Sequence, residues 1–190
     1  MDRQTVEGLP MGLHGWLSHT QVAEPFAEGY FSNPAGLKIP LAITFAFTGD
    51  DMSKMTPYSL QCPYCGHTQE TMVWASLNVT QDPELKARLY AAEINRFDCE
   101  QCQKQTFINA PLLYHDMTMQ FCVQYYPPEA LDDEDFHRHF NADGSVAMTG
   151  LPASFATSGE YLTKPHIVFD MSEMIRYVAF RDHVAEANRK

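Results

Sequence analysis

Two Cys-x-x-Cys pairs constrain the fold of this chain more than any other feature. Cys62 and Cys65 lie in QCPYCGHT, and Cys99 and Cys102 lie in FDCEQCQK, with thirty-three residues between the pairs. Two intervening residues let both sulfur atoms of a pair point into one turn, and two such turns supply four thiolates in the tetrahedral geometry that Zn²⁺ prefers. The spacing therefore predicts a four-cysteine metal site.

The two cysteine turns are not chemically equivalent. Pro63 stiffens the first turn, and Gly66 follows its second cysteine, where a positive φ would let backbone N–H groups approach the thiolates. The second turn has Gln103 at the position that corresponds to Gly66. We therefore expect either a strained backbone at Gln103 or a turn of different geometry.

Three interpretations of the cysteines remain open at this stage. Four thiolates that bind zinc fill its coordination sphere, so such a site stabilises the fold, by on the order of 10 kcal/mol, and performs no catalysis. Iron in a rubredoxin-like site uses the same ligands, and spacing does not distinguish the two metals. Dithiol redox chemistry needs one pair only, on a β-α-β scaffold that the sequence does not indicate.

The pattern around the cysteines favours the α+β class. Extended stretches flank the first turn, and DPELKARLYAAEIN begins a helix with Asp82 as N-cap and Pro83 as its first residue. The predicted order is strand, metal turn, strand, helix, metal turn and strand. The expected fold is zinc-ribbon-like β-hairpins with a long inserted helix and a C-terminal helix, the latter capped by Ser172.

The chain divides into two predicted regions. Residues 1–55 are rich in glycine and proline and form an N-terminal extension or strap, with one strand expected within residues 37–51. Residues 56–190 form the metal-binding domain, whose C-terminal half is acidic and rich in loops. The acidic run at residues 129–135 is expected to be solvated surface.

Charge and hydropathy narrow the classes of function. Twenty-four acidic and thirteen basic residues give a net charge of −11, which argues against nucleic-acid binding and favours basic or neutral protein partners. The N-terminus shows no secretory signal, and no apolar run reaches the ~20 residues that a membrane-spanning helix needs. A cytoplasmic protein with reduced cysteines is expected.

Few residues outside the cysteine pairs suggest chemistry. Cys122 has apolar neighbours and is predicted to be a buried thiol of the core. His115 and Asp116 form the alternative for an enzyme, as a hydrolase pair, whereas phosphate-loop, dinucleotide and nucleophile-elbow motifs are missing. The sequence favours a non-catalytic accessory or protein-interaction module, in which aromatic residues could contact a partner: Trp16, Phe26, Tyr30, Phe31, Tyr125 and Tyr126.

The segments CPYCGH, SLNVTQDPELKARLYAAEIN, CEQC and PLLYHDM resemble the bacterial and archaeal CpXC domain, named for its paired cysteine motifs. The likeness runs from about Tyr58 to Glu129, with a weaker echo near the C-terminus. The resemblance implies that Cys62, Cys65, Cys99 and Cys102 bind a metal, and it supplies no reaction. The extension ahead of the domain is where a role specific to this chain is expected.

Overall fold

The computed structural model describes residues 30–31, 53–147 and 160–189. The strand predicted within residues 37–51, together with Trp16 and Phe26, lies outside these ranges. The strands are β1 (Tyr30–Phe31), β2 (Lys54–Gln61), β3 (Thr68–Asn78), β4 (Arg96–Asp98), β5 (Gln105–Ile108), β6 (Leu112–Asp116), β7 (Phe121–Tyr125) and β8 (His166–Val168). The α-helices are α1 (Glu84–Tyr90), α2 (Glu134–His137), α3 (Glu160–Thr163) and α4 (Met171–Ala187), and Pro128–Asp132 form a 3₁₀-helix.

The described strands form two sheets. The larger sheet is mixed and has the order β2-β3-β6-β7-β8, with antiparallel β2/β3 and β6/β7 pairs and parallel β3/β6 and β7/β8 pairs. The smaller sheet has the order β1-β5-β4. Antiparallel and parallel pairs occur in one sheet, and the helices do not alternate regularly with the strands, which confirms the predicted α+β class.

The larger hydrophobic core, here called the sheet–helix core, lies between the five-stranded sheet and helices α1 and α4. Leu85 and Leu89 of α1, four residues apart, belong to the same cluster as Met174 and Val178 of α4, also four residues apart. The strands contribute seven further buried residues, and Val79 and Ile94 come from the segments on either side of α1: the strand residues are Leu77, Leu112, Tyr114, Phe121, Val123, Tyr125 and Val168. Side chains at helical spacing on α1 and α4 and alternating side chains of the strands therefore form one contiguous core.

A second, smaller core, here called the metal lobe, lies around the two cysteine turns. It contains Leu60, Cys62, Val73, Phe97, Cys99, Ile108 and Ala110. Phe97, the middle residue of β4, is completely buried in it. The first cysteine turn connects β2 to β3, and the second connects β4 to β5, so the small core is enclosed by two hairpins.

The predicted order of elements around the cysteines is confirmed, but helix details differ. Helix α1 begins at Glu84, with Pro83 as N-cap, and ends after seven residues, so it is shorter than the long insertion expected. Ala92 follows it with a positive φ of 54°, which ends the helix. Helix α4 is capped by Asp170, not Ser172: the Asp170 carboxylate accepts from the backbone N–H groups of Ser172 and Glu173.

The acidic run is surface, as predicted, although it is more ordered than a loop. The 3₁₀-helix and α2 occupy most of it, and they bury Ala130 and Phe136. These residues pack with Tyr126, which is 1% exposed, and with Phe140 and Phe169 in a third cluster. Tyr126, like Tyr125, is therefore part of the interior and is not available to a partner.

The described residues bear on two further predictions, one about the N-terminal extension and one about membrane-spanning helices. Tyr30 and Phe31, proposed as contact residues for a partner, form β1 and pair in parallel with Phe107 and Ile108 of β5. The extension therefore contributes at least one strand to the rest of this chain. Among the described residues, no helix has the length and apolar character needed to cross a membrane.

Candidate metal centre

The two cysteine turns have the same backbone hydrogen bonds. In the first, the N–H of Cys62 donates to the carbonyl of His67 at 2.7 Å, and the N–H of Gly66 donates to the carbonyl of Cys62 at 2.9 Å. In the second, the N–H of Cys99 donates to the carbonyl of Lys104 at 3.0 Å, and the N–H of Gln103 donates to the carbonyl of Cys99 at 2.9 Å. The spacing of the cysteines thus produces two equivalent turns.

A positive φ follows the second cysteine in both turns. Gly66 has φ +75°, as predicted, and Gln103 has φ +57°. A glycine adopts this conformation freely, whereas a residue with a Cβ pays roughly 1–2 kcal/mol for it. Of the two outcomes expected for Gln103, the structure shows the strained backbone in a turn of unchanged geometry.

The turns bring together the four cysteines that the sequence selected. The Sγ atoms of Cys62, Cys65, Cys99 and Cys102 all lie within 4.8 Å of one another. The Cys62–Cys102 distance is 3.7 Å and the Cys65–Cys99 distance is 3.6 Å, so each of these pairs joins one turn to the other. Ligands about 2.3 Å from a tetrahedral metal are about 3.8 Å apart. The sulfur atoms therefore fit a four-thiolate metal site.

Burial is uneven across the four sulfur ligands. Cys62 and Cys99, the first cysteine of each turn, are both 2% exposed, whereas Cys65 is exposed and Cys102 is half-buried. The metal position therefore has one side against the small hydrophobic core and the other towards solvent.

The thiols influence one another strongly. A backbone N–H from His67 lowers the pKa of Cys65, but desolvation and the three neighbouring thiols outweigh it and raise this pKa to about 12. The pKa of Cys99 is lowered to about 6, chiefly by the backbone N–H of Cys102 and also by that of Gln101. Because four thiolates this close repel one another, full ionisation of the cluster requires a cation.

Side chains other than the four cysteines hold the turns in place, and no sequence motif marks them. Gln61 donates from Nε2 to the carbonyl of Gly66 at 3.1 Å and fastens the first turn to β2. Gln69 reaches the second turn, where it donates to the carbonyl of Asp98 and accepts from the N–H of Glu100. The atoms that Gln69 contacts lie about thirty residues further along the chain, so no local motif reveals these bonds.

The remaining candidate residues lie elsewhere. His115 is 1% exposed on β6, and its Nδ1 is 3.3 Å from the hydroxyl of Tyr161 in α3. The Asp116 carboxylate instead accepts from the N–H of Met119 at 2.9 Å and lies 3.5 Å from Lys86 Nζ. Neighbouring strand residues face opposite sides of a sheet, so the two side chains do not form a catalytic pair.

Cys122 is buried, as predicted, and lies apart from the four-cysteine cluster. It pairs across the sheet with His115, and its thiol donates to the carbonyl of Tyr161 at 3.2 Å. Burial raises the pKa of Cys122 to about 12. A thiol that is enclosed and protonated at neutral pH is a poor nucleophile, so Cys122 is a core residue.

Comparisons with known proteins agree with the cysteine geometry. The family model described as CpXC protein matches residues 60–187, which is further towards the C-terminus than the motifs alone indicated. Neither the comparison with curated proteins nor that with solved structures found a match. The matched region contains both cysteine turns, the sheet–helix core and helix α4. The chain belongs to the CpXC protein family.

Proposed function

We propose that the protein is a zinc-stabilised, non-catalytic module that binds another protein, in the manner of an accessory subunit. The observation that carries this proposal is the cluster of four Sγ atoms within 4.8 Å of one another. Four thiolates complete the tetrahedral sphere of zinc and leave no position for water or substrate. Such a centre supports a fold and does not supply a Lewis acid to a reaction.

The choice of zinc over iron rests on chemistry that a measurement can check directly. Four thiolates also suit iron, which is the alternative for this donor set. Elemental analysis of the purified chain should give one zinc per chain, without the visible absorption that iron–thiolate centres show. A coloured protein with one iron per chain would replace the proposed scaffold with a redox protein.

The described surroundings of the other chemical groups support a non-catalytic role. His115 and Cys122 are enclosed beneath Tyr161, and Asp116 is engaged by Lys86 and a backbone N–H. A hydrolase that used His115 would need its imidazole within reach of a substrate. The variant His115→Ala should leave any hydrolytic activity of the preparation unchanged, and selective loss of turnover in a folded variant would support the hydrolase alternative.

The partner is proposed to be a protein with a basic or neutral surface. A net charge of −11 repels nucleic-acid phosphates and favours positively charged surfaces through long-range attraction. Four cysteines that must stay reduced to bind a metal also agree with the cytoplasm as the compartment. We propose that residues 1–55, which precede most of the described domain, confer the role specific to this chain.

The partner proposal is tested by native purification of the full chain at low ionic strength, followed by mass measurement of the intact assembly. A stoichiometric complex that dissociates when salt is added is the expected result, because screening weakens charge attraction. The matched control is Cys122→Ala, which leaves the metal ligands intact and should still form the complex. A lone monomer under these conditions would contradict the accessory role.

A further inference from the structure

The side chain of Gln69 connects the two cysteine turns. It lies in β3, four residues after Cys65, and its side-chain amide points at the second turn. Its Nε2 donates to the carbonyl of Asp98 at 3.0 Å, and its Oε1 accepts from the backbone N–H of Glu100 at 2.9 Å. Asp98 and Glu100 are the two neighbours of Cys99, so one side chain binds the backbone on both sides of this cysteine.

This position matters because the two turns belong to different sheets. Strand β3 lies in the five-stranded sheet and β4 in the three-stranded sheet, so among the described strands no ladder joins them. At the other end of β4, the side chain of Asn95 bonds the backbone of Trp74 twice, accepting at 2.7 Å and donating at 3.0 Å. Side-chain amides thus take the place of a strand ladder at both ends of β4, and Gln69 lies at the end next to the cysteine turns.

Other contacts between the turns are weaker by their geometry. Lys104 Nζ lies 4.6 Å above the ring of Tyr64, whose side chain is 45% exposed. Gln101 Oε1 is 4.0 Å from the exposed Sγ of Cys65. A solvent-exposed cation–π contact contributes about 0.5–1 kcal/mol, and both contacts depend on mobile side-chain ends. Gln69 differs because it forms hydrogen bonds with the backbone of Asp98 and Glu100, and this backbone determines where Cys99 Sγ lies.

We infer that Gln69 is a positioning residue of the metal centre, which holds Cys99 against the first turn before the metal binds. The inference rests on the metal site of the proposed function. Both polar atoms of the Gln69 amide are used, so the second turn is fixed in distance and in orientation. Residues that orient metal ligands typically change metal affinity by about 10- to 100-fold when they are replaced. A Cys99 that is held in place re-forms its bond to the metal quickly after that bond breaks, so the loss of affinity should appear as faster metal release.

The experiment compares three variants of the full chain loaded with zinc: Gln69→Ala, Gln69→Glu and Gln105→Ala. Gln105 is an exposed glutamine of β5 in the same lobe, so Gln105→Ala is the matched control. Metal release into a chromophoric chelator gives the rate, and hydrogen exchange at the Glu100 amide reports the bond that Gln69 accepts. Amide protection in β6 and β7 verifies that each variant is folded.

The variants should separate the two halves of the Gln69 contact. Gln69→Ala should release zinc about 10- to 100-fold faster than wild type, with fast exchange at Glu100. Gln69→Glu keeps an acceptor for the Glu100 N–H but loses the donor to Asp98, so release should be intermediate while Glu100 stays protected. Gln105→Ala should match wild type in both measurements.

Two results would overturn the inference. One is release from folded Gln69→Ala at the wild-type rate; should that variant fail to fold, wild-type release from Gln69→Glu decides in the same way. The other is faster release from Gln69→Ala without any change in exchange at Glu100, because the effect of that variant would then not pass through this bond. A wild-type chain that binds no metal is a different result: it contradicts the proposed function itself.

Discussion

The metal lobe and the sheet–helix core reach stability in different ways. Among the described residues, the sheet–helix core has thirteen buried residues, drawn from strands, from α1 and α4 and from the segments on either side of α1. The metal lobe has seven, and two of these, Cys62 and Cys99, are proposed metal ligands. Small hydrophobic clusters rarely offset the entropy of ordering a chain without a metal or disulfide. We therefore expect apolar burial to hold one region and the proposed metal ion to hold the other.

Metal removal should produce the largest difference between these regions. Binding to a structural zinc site is worth on the order of 10 kcal/mol, and the metal lobe has little else to replace it. Chelation should therefore abolish amide protection in β4 and β5 while protection in β6, β7 and α4 persists. Hydrogen exchange with and without chelator measures this difference.

Two cysteine variants provide the control for that experiment. Cys99→Ser should bind no zinc tightly and should resemble the chelated protein, since Cys99 is a proposed ligand. Cys122→Ala should retain one zinc per chain, because its thiol contacts Tyr161 and not the cluster. Simultaneous loss of protection in both cores after chelation would show that they form one cooperative unit.

Truncation of one buried residue in each core should distinguish the two regions, because each change should weaken mainly its own core. Phe97 and Leu112 are both completely buried, the first in the metal lobe and the second in the sheet–helix core. Phe97→Ala should lower the free energy of unfolding of its core by about 3–5 kcal/mol, and Leu112→Ala that of its core by about 2–5 kcal/mol. We expect Phe97→Ala to lower zinc affinity strongly, whereas Leu112→Ala lowers the free energy of global unfolding with zinc affinity retained.

Urea unfolding and competition with a chelator distinguish these two outcomes. Equal losses of zinc affinity in both variants would mean that the regions are coupled through the shared strands β2 and β3. Equal losses of global stability with unchanged zinc affinity would mean that the metal lobe does not depend on its own small core.

The pH dependence of stability should arise in part from His115 in the sheet. Burial lowers the pKa of His115 to about 4 from its ordinary value of 6.5, although nearby Asp116 opposes the shift. The unfolded chain therefore binds more protons between these pH values, so stability falls as pH decreases from about 6.5 to about 4. The shift corresponds to about 3 kcal/mol.

His115→Asn removes the titrating group and keeps a polar side chain opposite Tyr161. We expect a smaller decline in the free energy of unfolding over this pH range than in wild type. Urea unfolding should be followed through the sheet–helix core with chelator present at every pH, so that metal release does not contribute. The same slope in both proteins would show that His115 is not the group responsible.

The smallest predicted effects concern the positive φ angles of the two cysteine turns. Gly66→Ala should destabilise the metal-loaded protein by about 1 kcal/mol, because φ is +75° and a Cβ there meets nothing closer than 3.8 Å. Gln103→Gly should stabilise it by up to about 1 kcal/mol, because the strain at φ +57° is relieved. Thermal unfolding measures both, and equal signs would contradict the equivalence of the turns.

The cluster of four cysteines was predictable from the sequence because the spacing of each pair encodes local geometry. A Cys-x-x-Cys turn fixes two sulfur atoms within four residues, so the prediction needed only that the two turns meet. Helix α1 was predicted in place but not in length, since Ala92 leaves the helix for φ +54° in spite of its high helix propensity. Tertiary packing determines that end, and a single sequence does not show it.

Contacts between distant segments were the part that the sequence did not reveal. Gln69 and Asp98 are 29 residues apart, and nothing in their neighbourhoods marks them as partners. The N-cap Asp170 was missed for a different reason: Ser172 is an equally good capping residue two positions later. Asp170 serves because its extended backbone, φ −137° and ψ 131°, lets its carboxylate reach the N–H groups of the first turn.

X-ray absorption spectroscopy of the zinc-loaded protein tests the central claim most directly. A closed four-cysteine centre should show four sulfur atoms at about 2.3 Å from the metal and no nitrogen or oxygen ligand. A shell with three or fewer sulfur atoms and a light atom at about 2.0 Å would reveal an open or different coordination site. That result would contradict a closed structural centre and would favour a catalytic role for the metal.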